Sequence, residues 1–215
     1  MINILQWLDE QKFSVVIRSS QANDAEDMIK CVLEGGLRTL EISMYTPQAL
    51  RLIETYSKKD GILVGAGSIN DGETVQRAVN AGAQFISSQA TDLEVVNVAK
   101  HNDTFVIQGA QTLTEALEAN KMGVDLIKIY PVDTVGGLNH VKAIKHAAPF
   151  LKLVADGGIT FEDAFEYIKH CVAVNLRDTV FERQLLRADS WSEVTERVRQ
   201  FAVKLESLKP VKQPT

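Results

Sequence analysis

Lys121-Met122-Gly123-Val124-Asp125-Leu126-Ile127 has the form of a helix end, a glycine, a short link and an apolar strand. The form recurs at Glu34-Gly35-Gly36-Leu37-Arg38-Thr39-Leu40-Glu41 and at Asn80-Ala81-Gly82-Ala83-Gln84-Phe85-Ile86. Glycine suits the left-handed cap that ends a helix, because it has no Cβ to clash there. Around these anchors, β-type runs alternate with helical patterns along the chain. Strands are predicted over 14–18, 39–43, 62–64, 84–88, 104–108, 125–129, 151–154 and 172–175, with amphipathic segments such as 25–33 and 72–80 between them. The strands are apolar on both faces, the pattern of a parallel sheet covered by helices. Eight such units closed into a (β/α)8 TIM barrel account for the count and for the 215 residues. A doubly wound open sheet is the alternative. Its dinucleotide fingerprint is missing, because Gly65-Ala66-Gly67-Ser68-Ile69-Asn70 lacks the third glycine. An extra helix is predicted over 3–11 and a last one over 191–208, giving one domain over 1–208. The tail 209–215, with two prolines and no apolar run, is expected to fray.

The sixth predicted strand continues into Lys128-Ile129-Tyr130-Pro131. Lysine is almost never fully buried without a partner. Desolvation makes an ammonium lose its proton more easily, so burial alone is expected to lower the Lys128 pKa toward a nucleophilic amine. Lys128 is therefore either a structural misfit or a Schiff-base nucleophile. Glu41 is a second charge inside a strand-like run, Thr39-Leu40-Glu41-Ile42-Ser43. The two occupy equivalent places on strands two and six. If both point into the barrel they neutralise each other and supply a proton shuttle. If not, each snorkels to solvent at its strand end.

Composition narrows the function. A 45% hydrophobic content supports one sizeable core, and the net charge of −5 argues against a nucleic-acid surface. It still allows a small anionic ligand held by local cations. Cys31 and Cys171 belong to no metal or redox spacing and read as buried thiols. His101, His140, His146 and His170 fall in helical or loop positions without metal-site spacing. No apolar run reaches the ~18 residues of a membrane span. Residues 1–6 lack a basic region followed by an apolar one, so a cytoplasmic chain without a signal peptide is expected.

Other residues are candidates for holding a substrate. Gly157-Gly158, after strand seven, offers backbone N–H groups where such barrels often bind phosphate, or it is a tight turn. Asp156 directly before it repels phosphate unless protonated or paired. Arg18, at the end of strand one, is a cation for an anionic substrate or a partner in a surface ion pair. Ser68 either meets a carboxylate or caps the following helix. Gln89 and Gln108 make the expected site polar.

Together these residues resemble the class I aldolases that cleave 2-keto-3-deoxy-6-phosphogluconate and 4-hydroxy-2-oxoglutarate. The resemblance runs from about Phe13 to Phe181. It rests on Ser14-Val15-Val16-Ile17-Arg18, Leu40-Glu41-Ile42-Ser43 and Gly65-Ala66-Gly67-Ser68-Ile69. It continues through Ala81-Gly82-Ala83-Gln84-Phe85-Ile86, Ile127-Lys128-Ile129-Tyr130-Pro131 and Gly157-Gly158-Ile159. It implies a (β/α)8 barrel, a homotrimer, and no metal or cofactor. It also implies that Lys128 is the Schiff-base lysine and Glu41 the general acid/base. Ser68 then lies beside the pyruvyl carboxylate, and Arg18 matches an arginine of many members. The substrates implied are a small keto acid and an aldehyde.

The chain departs from the family at Tyr45, where many members have arginine, and at Ser88-Gln89-Ala90, where a proline follows the serine. It departs again at Gln108-Gly109, at Asp156 in place of threonine, and at Asn175-Leu176-Arg177-Asp178 in place of a glycine-serine turn. These changes predict weakened phosphate recognition, with Arg177 available for a carboxylate or smaller anion. The alternatives are a sugar-phosphate epimerase or decarboxylase on the same barrel, with Asp156 as its acid/base, and a catalytically impaired keto-acid-binding paralogue.

Overall fold

In a computed structural model that describes residues 2–188 and 190–208, eight parallel strands close on themselves in sequence order. They are β1 (Phe13–Ile17), β2 (Thr39–Ser43), β3 (Leu63–Gly67), β4 (Phe85–Ser87), β5 (Phe105–Ala110), β6 (Leu126–Ile129), β7 (Leu153–Asp156) and β8 (Ala173–Leu176). One helix precedes them, α1 (Ile4–Gln11). The crossovers are α2 (Ala22–Gly35), α3 (Ala49–Ser57), α4 (Gly72–Asn80), α5 (Leu93–His101), α6 (Leu113–Lys121), α7 (Gly137–Ala147) and α8 (Phe161–Tyr167). After β8 come α9 (Arg183–Arg187) and α10 (Trp191–Leu208). The predicted (β/α)8 TIM barrel with an N-terminal helix is thus the observed fold. The tail 209–215 lies outside the described residues.

The strand alternation sorts the core into two layers. Outward residues such as Val15, Ile17, Ile42, Val64, Ile127 and Ile129 pack with the helices. Inward residues Leu63, Phe85, Ile107, Leu126, Val154 and Ala173 fill the barrel, and Leu8 of α1 joins them. Trp7 donates from Nε1 to Thr39 Oγ1 at 2.9 Å, pinning α1 to the barrel. The N-terminal helix therefore plugs the end of the barrel away from the strand C-termini. On the outside, Phe13, Phe161, Phe165 and Phe201 pack mostly edge-to-face and anchor α8 and α10 to β1. Cys31 and Cys171 are buried thiols, and burial pushes the Cys171 pKa up to about 12.

Three strands reach two or three residues further than their sequence pattern predicts. β3 runs to Gly67 rather than residue 64, β5 to Ala110 rather than 108, and β7 to Asp156 rather than 154. Glycine and aspartate are poor strand formers in isolation, but closure of the barrel overrides the local preference. The glycines are needed there. A Cβ on Gly65 would lie 2.4 Å from three ring atoms of Phe85, a residue only 1% exposed. Gly65→Ala is therefore expected to overpack the interior at a cost of roughly 1–3 kcal/mol. A thermal melt should show a midpoint several degrees lower, and an unchanged midpoint would refute this account of the barrel floor.

Candidate active site

Register brings the two odd charges together. Glu41 on β2 lies opposite Val16 of β1 and Gly65 of β3, and Lys128 on β6 lies opposite Gly109 and Val154. Both side chains point into the barrel. Lys128 is 0% exposed and Glu41 1%. Lys128 Nζ sits 3.1 Å from each carboxylate oxygen of Glu41. Snorkelling to solvent is excluded for both residues.

A third member of the cluster escaped its sequence reading. Asp156 points inward from the end of β7, and its Oδ2 lies 3.1 Å from Lys128 Nζ. Asn175 of β8, paired with Asp156 in register, donates from Nδ2 to Glu41 Oε2 at 2.8 Å and to Asp156 Oδ2 at 3.2 Å. Asp156 is thus engaged by an amine and an amide rather than standing alone against an anion. The signal was the alternation itself. Extending strand seven by two places beyond Val154 puts Asp156 on the inner face, level with Asn175 at the end of the predicted strand eight.

The cluster corrects the expected state of the lysine. Burial drives Lys128 toward the neutral amine, but the charges of Glu41 and Asp156 and their hydrogen bonds outweigh it and raise the pKa above the ordinary lysine value. Its neighbours therefore favour the protonated form. Two carboxylates able to exchange a proton with it lie within 3.1 Å.

Above the cluster, at the C-terminal ends of the strands, lies a cavity of about 790 Å³. Asp156 and Asn175 form part of its wall, and each touches the buried pair behind. Ser68, Gln89 and Arg18 line the same cavity. Ser68 is buried with φ 61°, and its Oγ is 2.9 Å from Ser43 Oγ and 3.5 Å from Gln89 Nε2. It does not cap α4, since Asp71 does so by accepting from Thr74 N. The Arg18 guanidinium lies 4.8 Å from the centroid of the Tyr45 ring. Tyr45 is 59% exposed beside the cavity rather than on its wall, and its hydroxyl accepts from Asn70.

Gln108 is the sequence candidate that the barrel places elsewhere. Ile107 and Gly109 face inward, so Gln108 between them faces the helices, where its Oε1 accepts from Asp92 N at 2.8 Å. Gly109 instead matters by being small, because a Cβ there would fall 1.9 Å from the carbonyl oxygen of Gln89. Gly157 and Gly158 do adopt positive φ on the cavity wall, at 93° and 63°. The space beside Gly158 is filled by the carboxylate of Asp133, whose Oδ2 would lie 2.1 Å from an added Cβ. No sequence signal marked Asp133. Arg177 lines the cavity too, but its guanidinium is held bidentately by Asp178 at 3.0 and 2.8 Å. That hydrogen bonding, ahead of the opposing effect of burial, raises its pKa.

The model of the KDPG and KHG aldolase family matches residues 4–197. The chain belongs to this family. Its members are aldolases, which are lyases. Among curated relatives, the 2-dehydro-3-deoxy-phosphogluconate aldolase of Treponema pallidum is 28% identical over 171 residues, covering 79% of this chain and 81% of that protein. The 2-dehydro-3-deoxy-6-phosphogalactonate aldolase of Escherichia coli is 27% identical over 169 residues, covering 76% and 81%. Among solved structures, the KDPG aldolase of Legionella pneumophila, with pyruvate captured at low pH as a covalent carbinolamine, aligns with a TM-score of 0.82. It is 24% identical, with 93% of this chain and 98% of that one covered. At that identity the likeness speaks for the fold.

Gly67 holds the glutamate in place. A Cβ there would sit 2.4 Å from Glu41 Oε1 and 2.7 Å from its Cγ. The side chain's far end can yield, so Gly67→Ala is expected to fold and melt within a few degrees of the native protein. The displaced carboxylate should lower turnover by about 10²-fold, the usual cost of a misplaced group of about 1 Å. Native turnover in a folded Gly67→Ala variant would show that the position of Glu41 is unimportant.

Proposed function

We propose that this protein cleaves a 2-keto-3-deoxy or 4-hydroxy-2-keto acid to pyruvate and an aldehyde through a Schiff base on Lys128. One observation carries the reading: a fully buried amine held between two carboxylates at the head of a barrel cavity. The amine passes its proton to a carboxylate and attacks the 2-keto carbon. Loss of water leaves an iminium, which draws the electrons of the C3–C4 bond as the C4 hydroxyl loses its proton. Aldehyde departs, and the remaining enamine is protonated at C3 and hydrolysed to pyruvate and free lysine. In this reading Arg18 and Ser68, which line the cavity, receive the substrate carboxylate. The pyruvate carbinolamine captured in the Legionella relative supports the same chemistry here.

Phosphate recognition is proposed to be weak. The cavity wall carries Asp133, Glu162, Asp178 and Glu182 besides Asp156. Asp133 occupies the ground beside Gly158 that an anion would need, and Arg177 is already engaged by Asp178. Like charges this close to a phosphate oppose its binding. Family resemblance further suggests a cytoplasmic homotrimer.

Borohydride added with pyruvate is expected to attach one pyruvyl group, found by peptide mass mapping at Lys128. Lys128→Ala should abolish turnover. Labelling at another residue, or none in a protein that turns over substrate, would end the Schiff-base reading. Trapping without any aldehyde release would instead identify a keto-acid-binding paralogue. Steady-state comparison is expected to give a higher kcat/KM for 4-hydroxy-2-oxoglutarate than for 2-keto-3-deoxy-6-phosphogluconate, and the reverse order would reject weakened phosphate recognition.

A further inference from the structure

We infer that Asp156, rather than Glu41, is the base that takes the proton of the C4 hydroxyl when the C3–C4 bond breaks, while Glu41 serves the Lys128 nitrogen. The inference rests on the Schiff-base reading above and divides its proton transfers between two carboxylates.

The division follows from where the two groups stand. Both Glu41 oxygens are 3.1 Å from Lys128 Nζ, and Oε2 also accepts from Asn175, so the group is wholly turned toward the amine and the amide. Glu41 is 1% exposed and is not part of the cavity wall, where its hydrogen-bond partner Asn175 stands. Asp156 is the carboxylate that lies between the amine and the cavity. Its Oδ2 contacts Lys128 Nζ and Asn175 Nδ2, and its side chain is 11% exposed. A substrate joined to Lys128 through C2 extends C3 and C4 from the nitrogen toward the cavity, and so along Asp156. The hydroxyl on C4 then meets a carboxylate that already neighbours the reacting nitrogen.

The electrons and protons balance. Lys128 gives its ammonium proton to Glu41 and adds to C2. The added nitrogen passes a second proton to the former keto oxygen, which then takes the Glu41 proton as well and leaves as water, forming the iminium. Asp156 accepts the C4 hydroxyl proton as the O–H electrons form the aldehyde C=O. The C3–C4 pair moves to C2–C3, and the C2–N π pair settles on nitrogen as the enamine. Asp156 returns its proton to the enamine C3 or to solvent. Asn175, bonded to both carboxylates, is a positioning residue that keeps the two 3.1 Å from one nitrogen.

The test separates imine formation from bond cleavage in native protein, Asp156→Asn, Asp156→Glu and Glu41→Gln. Asp156→Asn is expected to trap pyruvate on Lys128 with borohydride at the native rate or faster, since the amine loses one of the charges that hold its proton. Its kcat for cleavage of 4-hydroxy-2-oxoglutarate should fall by about 10²–10⁴-fold, the range for loss of a general base, with KM within threefold. Asp156→Glu, which restores a carboxylate, should recover at least tenfold of that loss. Glu41→Gln should instead slow trapping itself. Cleavage by Asp156→Asn within threefold of native overturns the inference. So does a parallel loss of trapping and cleavage in both Asp156 variants, which would make Asp156 a support for the lysine. Native protein that traps no pyruvate brings down the Schiff-base reading and the inference with it, an outcome distinguishable from the other two.

Discussion

A single ammonium group is clamped between carboxylates from strands on either side of a closed barrel, and the surrounding architecture serves that contact. A buried ion pair is a weak source of stability, because the charges give up water to meet. Here the barrel supplies the remaining hydrogen bonds. Asn175 satisfies one oxygen on each carboxylate, and Gly67 leaves room for Glu41. Below, the apolar layer of Leu63, Phe85, Ile107, Leu126, Val154 and Ala173, stoppered by Leu8, keeps water from entering the far end. The polar cluster and the dry floor beneath it divide the barrel interior between chemistry and packing.

Much of this arrangement was legible in the sequence. Apolar runs at regular spacing, each entered through a glycine after a helix, specify the barrel. A lysine and a glutamate at matching positions in two of those runs specify the pair. Illegible parts share one physical cause. Glycine and aspartate have little strand preference, so the sequence pattern ends β3, β5 and β7 early. Closure of the barrel extends each strand regardless of that preference, and the added residues are the ones that shape the site. Asp156 moves from the phosphate loop to the amine, and Gln108 turns toward the helices. Asp133 follows no periodic pattern at all; its place beside Gly158 depends on a three-dimensional approach of two loops.

The lysine's protonation state is the other lesson. Burial was expected to decide it, yet the neighbouring charges do. Desolvation and ion pairing are both large in a low-dielectric interior, and their sum turns on how many partners the amine has. The sequence exposes one partner in an obvious place. The second, at the end of β7, adds its charge and hydrogen bond on the side of the first. Membership of the KDPG and KHG aldolase family adds the reaction class to this geometry.

Asn175 spanning both carboxylates has a consequence for chemical selectivity in a metabolite-rich environment. Asp156 and Asn175 stand between Lys128 Nζ and the cavity, each touching the buried pair behind. Strands β7 and β8 thus provide a lid one side chain thick, and a small electrophile must displace or engage that lid to reach the nitrogen.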